Sequence, residues 1–479
     1  MDASWVTTTI AIAVALFYLA AIAAAVEAIL QARTPQGAIA WAISLLSFSV
    51  IALPLYLILG RNRFAGYLEK RDHMERESQA LIHRTNSNIQ EFVVPIGNDS
   101  PMYTSLFNLA RMPATRGNQV DLLIDGEATF DDIRRGLEAA QNYILFQFYI
   151  MRDDNLGREL GRILADKARA GVAVYVIYDE IGSRKFQRSR LCKQLHMSGV
   201  NVAPFNTTQG RRNRFQLNFR NHRKVVVVDG REAWVGGHNV GDEYLGRDKK
   251  IGHWRDTHVR FQGPSVIGAE QAFATDWLWA KGEDLNISWD LNSEAEGDST
   301  VLVFPSDPAS EYEEAGLMFH QTIVAAQQRI WIASPYFVPD RGIISALQLA
   351  ALRGVDVRIL IPDEPDGPMV AMANWSFTRE LLAVGVKVYR YQGGFMHQKV
   401  LLMDDRLAGV GTANFDNRSF RLNFEITLLV HDVFFAREVE AMLNTDLERC
   451  RQVSLEECMD KPAWFTVAMA TARLFAPVL

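Results

Sequence analysis

Residues 221–239 read NHRKVVVVDGREAWVGGHN, and residues 396–414 read MHQKVLLMDDRLAGVGTAN. Five residue types recur at the same offsets: His222, Lys224, Asp229, Gly236 and Asn239 against His397, Lys399, Asp404, Gly411 and Asn414. A lone His-x-Lys arises often by chance, whereas two long matching copies do not. In each copy the histidine and lysine sit two apart in a stretch read as a strand, so their side chains share a face. The runs behind them, VVVV and VLLM, are apolar on both faces, as in a buried strand. A glycine-containing turn then allows close backbone approach, and Asn239 or Asn414 offers a side-chain amide. Positive charge and donors converging from two copies suit a phosphoryl group, whose equatorial oxygens gather charge in the transition state. Asp229 and Asp404 lie an odd number of residues from their histidines. That spacing turns them away, and they are read as structural hydrogen-bond acceptors.

Around the copies the chain repeats itself. YILFQFYI at 143–150 is followed by a helical face of Leu156, Leu160, Ile163 and Leu164, then strand signals opening at Gly171 and Gly199. RIWIASPYFVPD at 329–340 is followed by Ile344, Leu347 and Leu352, then strand signals at Gly354 and Gly385. Alternating strand and helix patterns predict an α/β fold of two duplicated α-β-α sandwich halves with pseudo-twofold symmetry and mostly parallel sheets. The halves are placed at 92–287 and 300–451, with a polar linker at 288–299.

Upstream, residues 6–26 and 38–59 carry no charge and are each long enough to cross a bilayer as a helix. Residues 1–60 are therefore expected to form a transmembrane hairpin, kinked at Pro54, with 61–91 a juxtamembrane linker. The start, MDASW, lacks the basic run of a cleaved signal. Arg61, Arg63, Lys70 and Arg71 follow the second span while the short loop offers only Arg33, which puts both termini and the main domain in the cytoplasm.

A net charge of -6 argues against a broad basic nucleic-acid surface. Cys192, Cys450 and Cys458 are too few and too widely spaced for a disulfide framework or a zinc knuckle. His238, His253 and His258 form no metal spacing. The lysine pair supplies charge that a metal supplies elsewhere, so no cofactor is expected.

With its doubled motif the chain resembles the phospholipase D superfamily, and within it the bacterial cardiolipin synthases. Further likenesses to the latter are NFRNHRK at 218–224, NFEITL at 423–428, and the paired spans with AIAWAI and LYLILGRNR. The superfamily pattern places Ser or Thr after the motif glycine. Thr412 fits, but Gly237 departs and removes one hydroxyl. The resemblance implies a catalytic set of His222, Lys224, Asp229, His397, Lys399 and Asp404, with phosphate bound by Asn239, Asn414 and Thr412. It also implies that His222 is the nucleophile, that His397 is the general acid and base, and that Asp256 and Glu425 orient the imidazoles. The implied reaction joins two phosphatidylglycerols into cardiolipin through a phosphohistidine, on the inner face of the bacterial cytoplasmic membrane. Hydrolysis, phosphatidylserine synthesis and transfer to or from other phospholipids such as phosphatidylethanolamine use the same residues and stay open. A nuclease, suggested by RRNRF at 211–215, gains nothing from two membrane spans. A non-catalytic membrane scaffold, which an inactive protein with both motifs could be, also stays open. The oligomeric state is not set by the sequence. Residues 452–479 end the chain in an apolar helix, read as packing on the second half rather than lying in the membrane interface.

Overall fold

Val225–Val228 and Glu232–Gly236 decide the topology. Only Asp229, Gly230 and Arg231 separate them, too short a link for a crossover, so the strands must pair antiparallel. The chain is seen in a computed structural model that describes residues 3–31, 34–60, 64–84, 92–94, 101–209, 213, 217–287, 289 and 297–476. There Val225 stands opposite Val235 and Val228 opposite Glu232. The structure falls into two compact units. One is Met1–Gly66 with Thr207–Phe219, and the other is Tyr67–Asn206 with Arg220–Leu479.

In the larger unit the main strands of the first half are β1 Thr115–Ile124, β2 Tyr143–Phe148, β3 Ala173–Asp179, β4 Asn201–Phe205, β5 Val225–Val228, β6 Glu232–Gly236 and β7 Thr257–Gln262. Those of the second are β8 Ser299–Ser306, β9 Arg329–Ala333, β10 Asp356–Pro362, β11 Lys387–Tyr391, β12 Val400–Met403, β13 Leu407–Gly411 and β14 Asn423–His431. The first set lies in the order β4-β3-β2-β5-β6-β7-β1, and the second repeats it as β11-β10-β9-β12-β13-β14-β8. β1 and β8 pair antiparallel, with Thr115 opposite Val301, so both halves belong to a single sheet.

Among these strands only β2-β3-β4 and β9-β10-β11 run parallel. The mostly parallel sheet expected from the sequence is thus corrected. Helices cover both faces, so antiparallel strands here are apolar on both sides as well. Such a pattern reports burial, not direction.

Leu156, Leu160, Ile163 and Leu164 of the helix Asn155–Arg169 are buried against Val174 and Val176. Ile344 and Leu347 of Arg341–Leu352 do the same against Val357 and Ile359, but Leu352 ends its helix exposed. Each fully buried aliphatic side chain contributes roughly 1.5–3 kcal/mol.

The expected linker at 61–91 contains a helix, Tyr67–Arg84, that belongs to the larger unit. Tyr67 donates to Asp276 at 2.5 Å, and Arg71 pairs with Asp307 at 2.6 Å and Glu314 at 3.5 Å. Arg71 is thus tied into an ion cluster with two buried carboxylates and is mostly withdrawn from solvent. Arg33, Arg61 and Arg63, most of RRNRF and most of the linker at 288–299 lie outside the described residues.

In the smaller unit, Ala3–Gln31 is one helix, and its stretch Trp5–Gln31 is long and apolar enough to cross a membrane. Ala21, Ala24, Ala25 and Ala28 form a stripe of small residues, packed with Leu45, Ala52, Leu53 and Tyr56. Such a stripe lets helices approach closely. The second apolar stretch is not one helix kinked at Pro54. It breaks at Phe48, between Pro35–Ser47 and Ser49–Leu55, and a π-turn at Tyr56–Gly60 follows the proline. Ser49 Oγ donates to the Leu45 carbonyl at 2.6 Å, pairing a carbonyl at the break. Pro54 has no N–H to give, which fits the widened turn behind it.

At the other end of the chain, Ala463–Leu474 packs Phe465, Met469 and Ala472 onto the second core. Arg473 ties it to Glu380 at 2.8 Å. Trp464, Val467 and Leu474 face outward.

Candidate active site

Two short parallel pairings bring the motif copies together. Arg220 and Asn221 lie beside Asn423 and Phe424, and Phe395 and Met396 lie beside Trp254 and Arg255. Consequently the His222 N–H donates to the Phe424 carbonyl at 2.9 Å, and the His397 N–H to the Arg255 carbonyl at 2.8 Å. The next residue in each partner segment is a carboxylate. Glu425 lies 3.0 Å from His222 Nδ1, and Asp256 lies 2.8 Å from His397 Nδ1. Each imidazole is therefore backed by the half it does not belong to.

Lys224 Nζ donates to the His222 carbonyl at 2.6 Å and sits over the Tyr149 ring. Lys399 Nζ lies 3.1 Å from His397 Nε2 and also bonds the His397 carbonyl. Arg223, between histidine and lysine, points the other way and meets Asp276 at 2.8 Å. Gln398 points away likewise and donates to Asp446 at 2.8 Å, where Arg255 brings the balancing charge. Removing one partner of such a buried pair costs about 3–5 kcal/mol.

Burial governs the electrostatics. It pulls His222 down to about 4, helped by Lys224 and Lys399 and opposed by Glu425. It pulls His397 down to about 3, helped by Lys399 and Lys224 and opposed by Asp256. Each lysine acts on the opposite histidine, so the copies form one cluster. Lys224 is pushed well below its ordinary value by burial, and Lys399 to about 8. Burial raises both carboxylates, but their cationic neighbours and hydrogen bonds outweigh it and hold them low. The resting site thus combines ionised carboxylates with imidazoles and lysines that burial pushes towards their neutral forms, an imbalance that an incoming phosphate anion would relieve.

The other sequence-derived residues have specific places. The Asp229 carboxylate accepts from the N–H groups of Gln141, Asn142 and Tyr143, and Asp404 from Gln327, Gln328 and Arg329. Both sit at positive φ, 53° and 52°, and tie hairpins to neighbouring strands, so neither enters the cluster. The Thr412 hydroxyl donates to Glu425 at 2.6 Å. The Asn239 carbonyl oxygen accepts from Ile150, and its amide lies 3.3 Å from the Tyr244 hydroxyl. Asn414 is buried beside Ser419, to whose hydroxyl its N–H donates. His238 and His258 face each other at 3.0 Å in the core, and His253 pairs with Asp125. Among the described residues no group of three or more His, Cys, Asp or Glu could hold a metal.

Gly237 has a steric reason. A Cβ there would lie 1.9 Å from Asp256 Oδ1. The copies thus carry two matched solutions, a longer carboxylate with a threonine and a shorter one with a glycine. Sequence reasoning missed Ser419 and Asn423, which donate to Glu425 at 2.8 and 3.0 Å. Asn423 lies two residues before Glu425 on β14, so strand periodicity could have found it. Ser419 carries no such signal.

A duplicated sheet with a His-x-Lys from each half in one buried cluster defines a phosphotransfer enzyme of the phospholipase D type. A family model described as "Cardiolipin synthase, PLD-like domain" matches residues 133–258 and 319–447. Cardiolipin synthase A of Pseudomonas entomophila (strain L48) is 44% identical over 97% of this chain and 98% of its own. Cardiolipin synthase A of Pseudomonas fluorescens (strain SBW25) is 45% identical over 95% of each. The chain belongs to the cardiolipin synthase family with phospholipase-D-like domains. Phosphatidylserine synthase of Haemophilus influenzae Rd KW20 shares the fold, with a TM-score of 0.62 and 17% identity over 79% of this chain and 100% of that one.

Proposed function

We propose that the protein transfers a phosphatidyl group from one phosphatidylglycerol to the terminal hydroxyl of a second, forming cardiolipin and releasing glycerol. The observation that carries this is the crossed pair of histidines, each backed by a buried carboxylate and flanked by a lysine. His222 Nε2 attacks phosphorus while His397 gives its proton to the departing glycerol oxygen. His397 must bind that proton first, and the charge of Asp256 favours it. The acceptor hydroxyl then loses its proton to His397 and displaces His222. Lys224 and Lys399 balance the equatorial oxygens throughout, and Asn239 and Asn414 add amide donors. Replacing His222 with Ala should abolish product in folded protein. Labelled phosphatidyl groups should stay on His222 when His397 is replaced. Normal turnover of the first variant would overturn the scheme, and phosphatidic acid as the main product would make the enzyme a hydrolase.

A hairpin anchor goes with this reading, Trp5–Gln31 crossing once and the broken stretch Pro35–Ser47 with Ser49–Gly60 crossing back. It holds the site against its lipid and raises effective concentration. The catalytic halves, 92–287 and 300–451, then face the cytoplasm. External protease on sealed right-side-out vesicles should spare them, and digestion would reverse the orientation.

A further inference from the structure

A cavity of about 670 Å³, within the range of ligand sites, lies one layer of aromatic rings away from His397. Trp254 and Phe395 line it. The same rings pack on the His397 imidazole with centroids 5.0 and 5.9 Å away. An in-line displacement puts the leaving and attacking oxygens opposite His222, on the side His397 serves. The cavity adjoins His397, the histidine that must serve both alcohols, through the Trp254 and Phe395 rings. Its charges are uneven. Arg152 is held by Glu243 at 2.9 Å, and Asp363 by Arg451 at 3.2 Å. That leaves the lining with one cation, Lys250, against two exposed carboxylates, Glu364 and Asp366. Asp366 takes the Tyr336 hydroxyl at 2.6 Å on one oxygen.

We propose that this cavity seats the uncharged glyceryl end of the acceptor lipid, and before it the departing glycerol, with Glu364 and Asp366 accepting their hydroxyl hydrogens. The proposal rests on the phosphatidyl transfer above. Ionised carboxylates only accept hydrogen bonds, so they favour a polyol rich in donors. Their excess negative charge also repels a lipid phosphate, which turns the acceptor so that its terminal glyceryl group enters first. Departing glycerol held at its two free hydroxyls keeps its third oxygen at His397. The acceptor lipid, which has two free hydroxyls, is held at one and presents the other to His397 in a fixed geometry. Water has no such hold, so orientation favours transfer over hydrolysis.

The test uses full-length enzyme in detergent micelles of phosphatidylglycerol, with cardiolipin and phosphatidic acid measured by mass spectrometry. Both products drain the same phosphohistidine, so their ratio does not depend on how fast it forms. In E364Q/D366N the ratio of cardiolipin to phosphatidic acid should fall about tenfold, the scale of one hydrogen bond to a charged group. The glycerol concentration needed for half-maximal conversion of cardiolipin back to phosphatidylglycerol should rise by a similar factor. Glu364→Gln alone should move both in the same direction, without disturbing the Tyr336 bond. Values within twofold of wild type in both variants would overturn the proposal. So would preferential formation of phosphatidylethanolamine when ethanolamine competes with glycerol, which would make this an ammonium site. A wild-type enzyme making only phosphatidic acid would overturn the transfer itself, before any variant is compared.

Discussion

Replacing Gly237 with Ala adds one methyl group at the tightest point behind His397. The new Cβ would lie 1.9 Å from Asp256 Oδ1, where ordinary contact starts near 3.4 Å, so about 1.5 Å must be found. Asp256 has little room to give way. It is fully buried, its Oδ1 accepts from the Thr257 N–H at 2.9 Å, and its Oδ2 holds His397 at 2.8 Å. A carboxylate pushed back by more than 1 Å stretches the histidine bond out of range. Misplacing a catalytic group by about 1 Å can cost roughly 10²-fold in rate, and overpacking a core costs about 1–3 kcal/mol. The expected result is a folded enzyme with a lowered melting temperature and kcat for cardiolipin formation reduced about 10²-fold. Thr412→Ala at the equivalent position crowds nothing and removes one of several donors to Glu425, so its loss should be nearer tenfold. Unchanged kcat and melting in Gly237→Ala would refute the steric reasoning.

Glu425→Gln keeps the shape behind His222 but removes its charge, and kcat measured at saturating lipid should fall about 10²-fold or more. Because His222 and His397 sit at about 4 and about 3, below their ordinary 6.5, the unfolded chain binds protons that the folded chain refuses. Melting temperature should therefore drop as pH falls from about 6.5 towards 4, and His222→Asn should flatten that slope. Arg71→Ala strands Asp307 and Glu314 and should destabilise by roughly 3–5 kcal/mol in denaturant titration. Burial and Asp307 already raise Glu314 to about 7, and losing Arg71 raises it further. A raised carboxylate loses folded stability as pH climbs through that value, so the deficit should be greater at pH 8 than at pH 5.

The duplicated order of elements was legible because each half repeats the same strand and helix signals around the same nineteen-residue pattern. The offset of Asp229 and Asp404 from their histidines also told correctly which way they point. Strand direction was hidden, since helices on both faces erase the alternation that marks an antiparallel strand. The break at Phe48 was hidden because it depends on a serine side chain answering a carbonyl one turn back, whereas Pro54 drew attention by its chemistry alone. Most of all, spacing along a chain does not say which half supplies a carboxylate. Glu425 and Asp256 each follow a motif downstream, yet each serves the other copy, through backbone pairings that no local pattern encodes. Gly237 read as a weakened motif position, and only the position of Asp256 shows that a side chain there would collide.

The exchange of carboxylates across the seam makes this chain a fused dimer in the physical sense. Either half standing alone would carry a histidine without its orienting acid and an acid without its histidine, and would leave β1 or β8 as a bare sheet edge. Two identical halves could assemble such a site, but every change in one would appear in the other. Joining them in one polypeptide lifts that constraint. The threonine–glutamate and glycine–aspartate solutions, and the arginine and glutamine between histidine and lysine, are differences that a symmetric pair could never hold, and they allow two histidines in one site to take up unequal tasks.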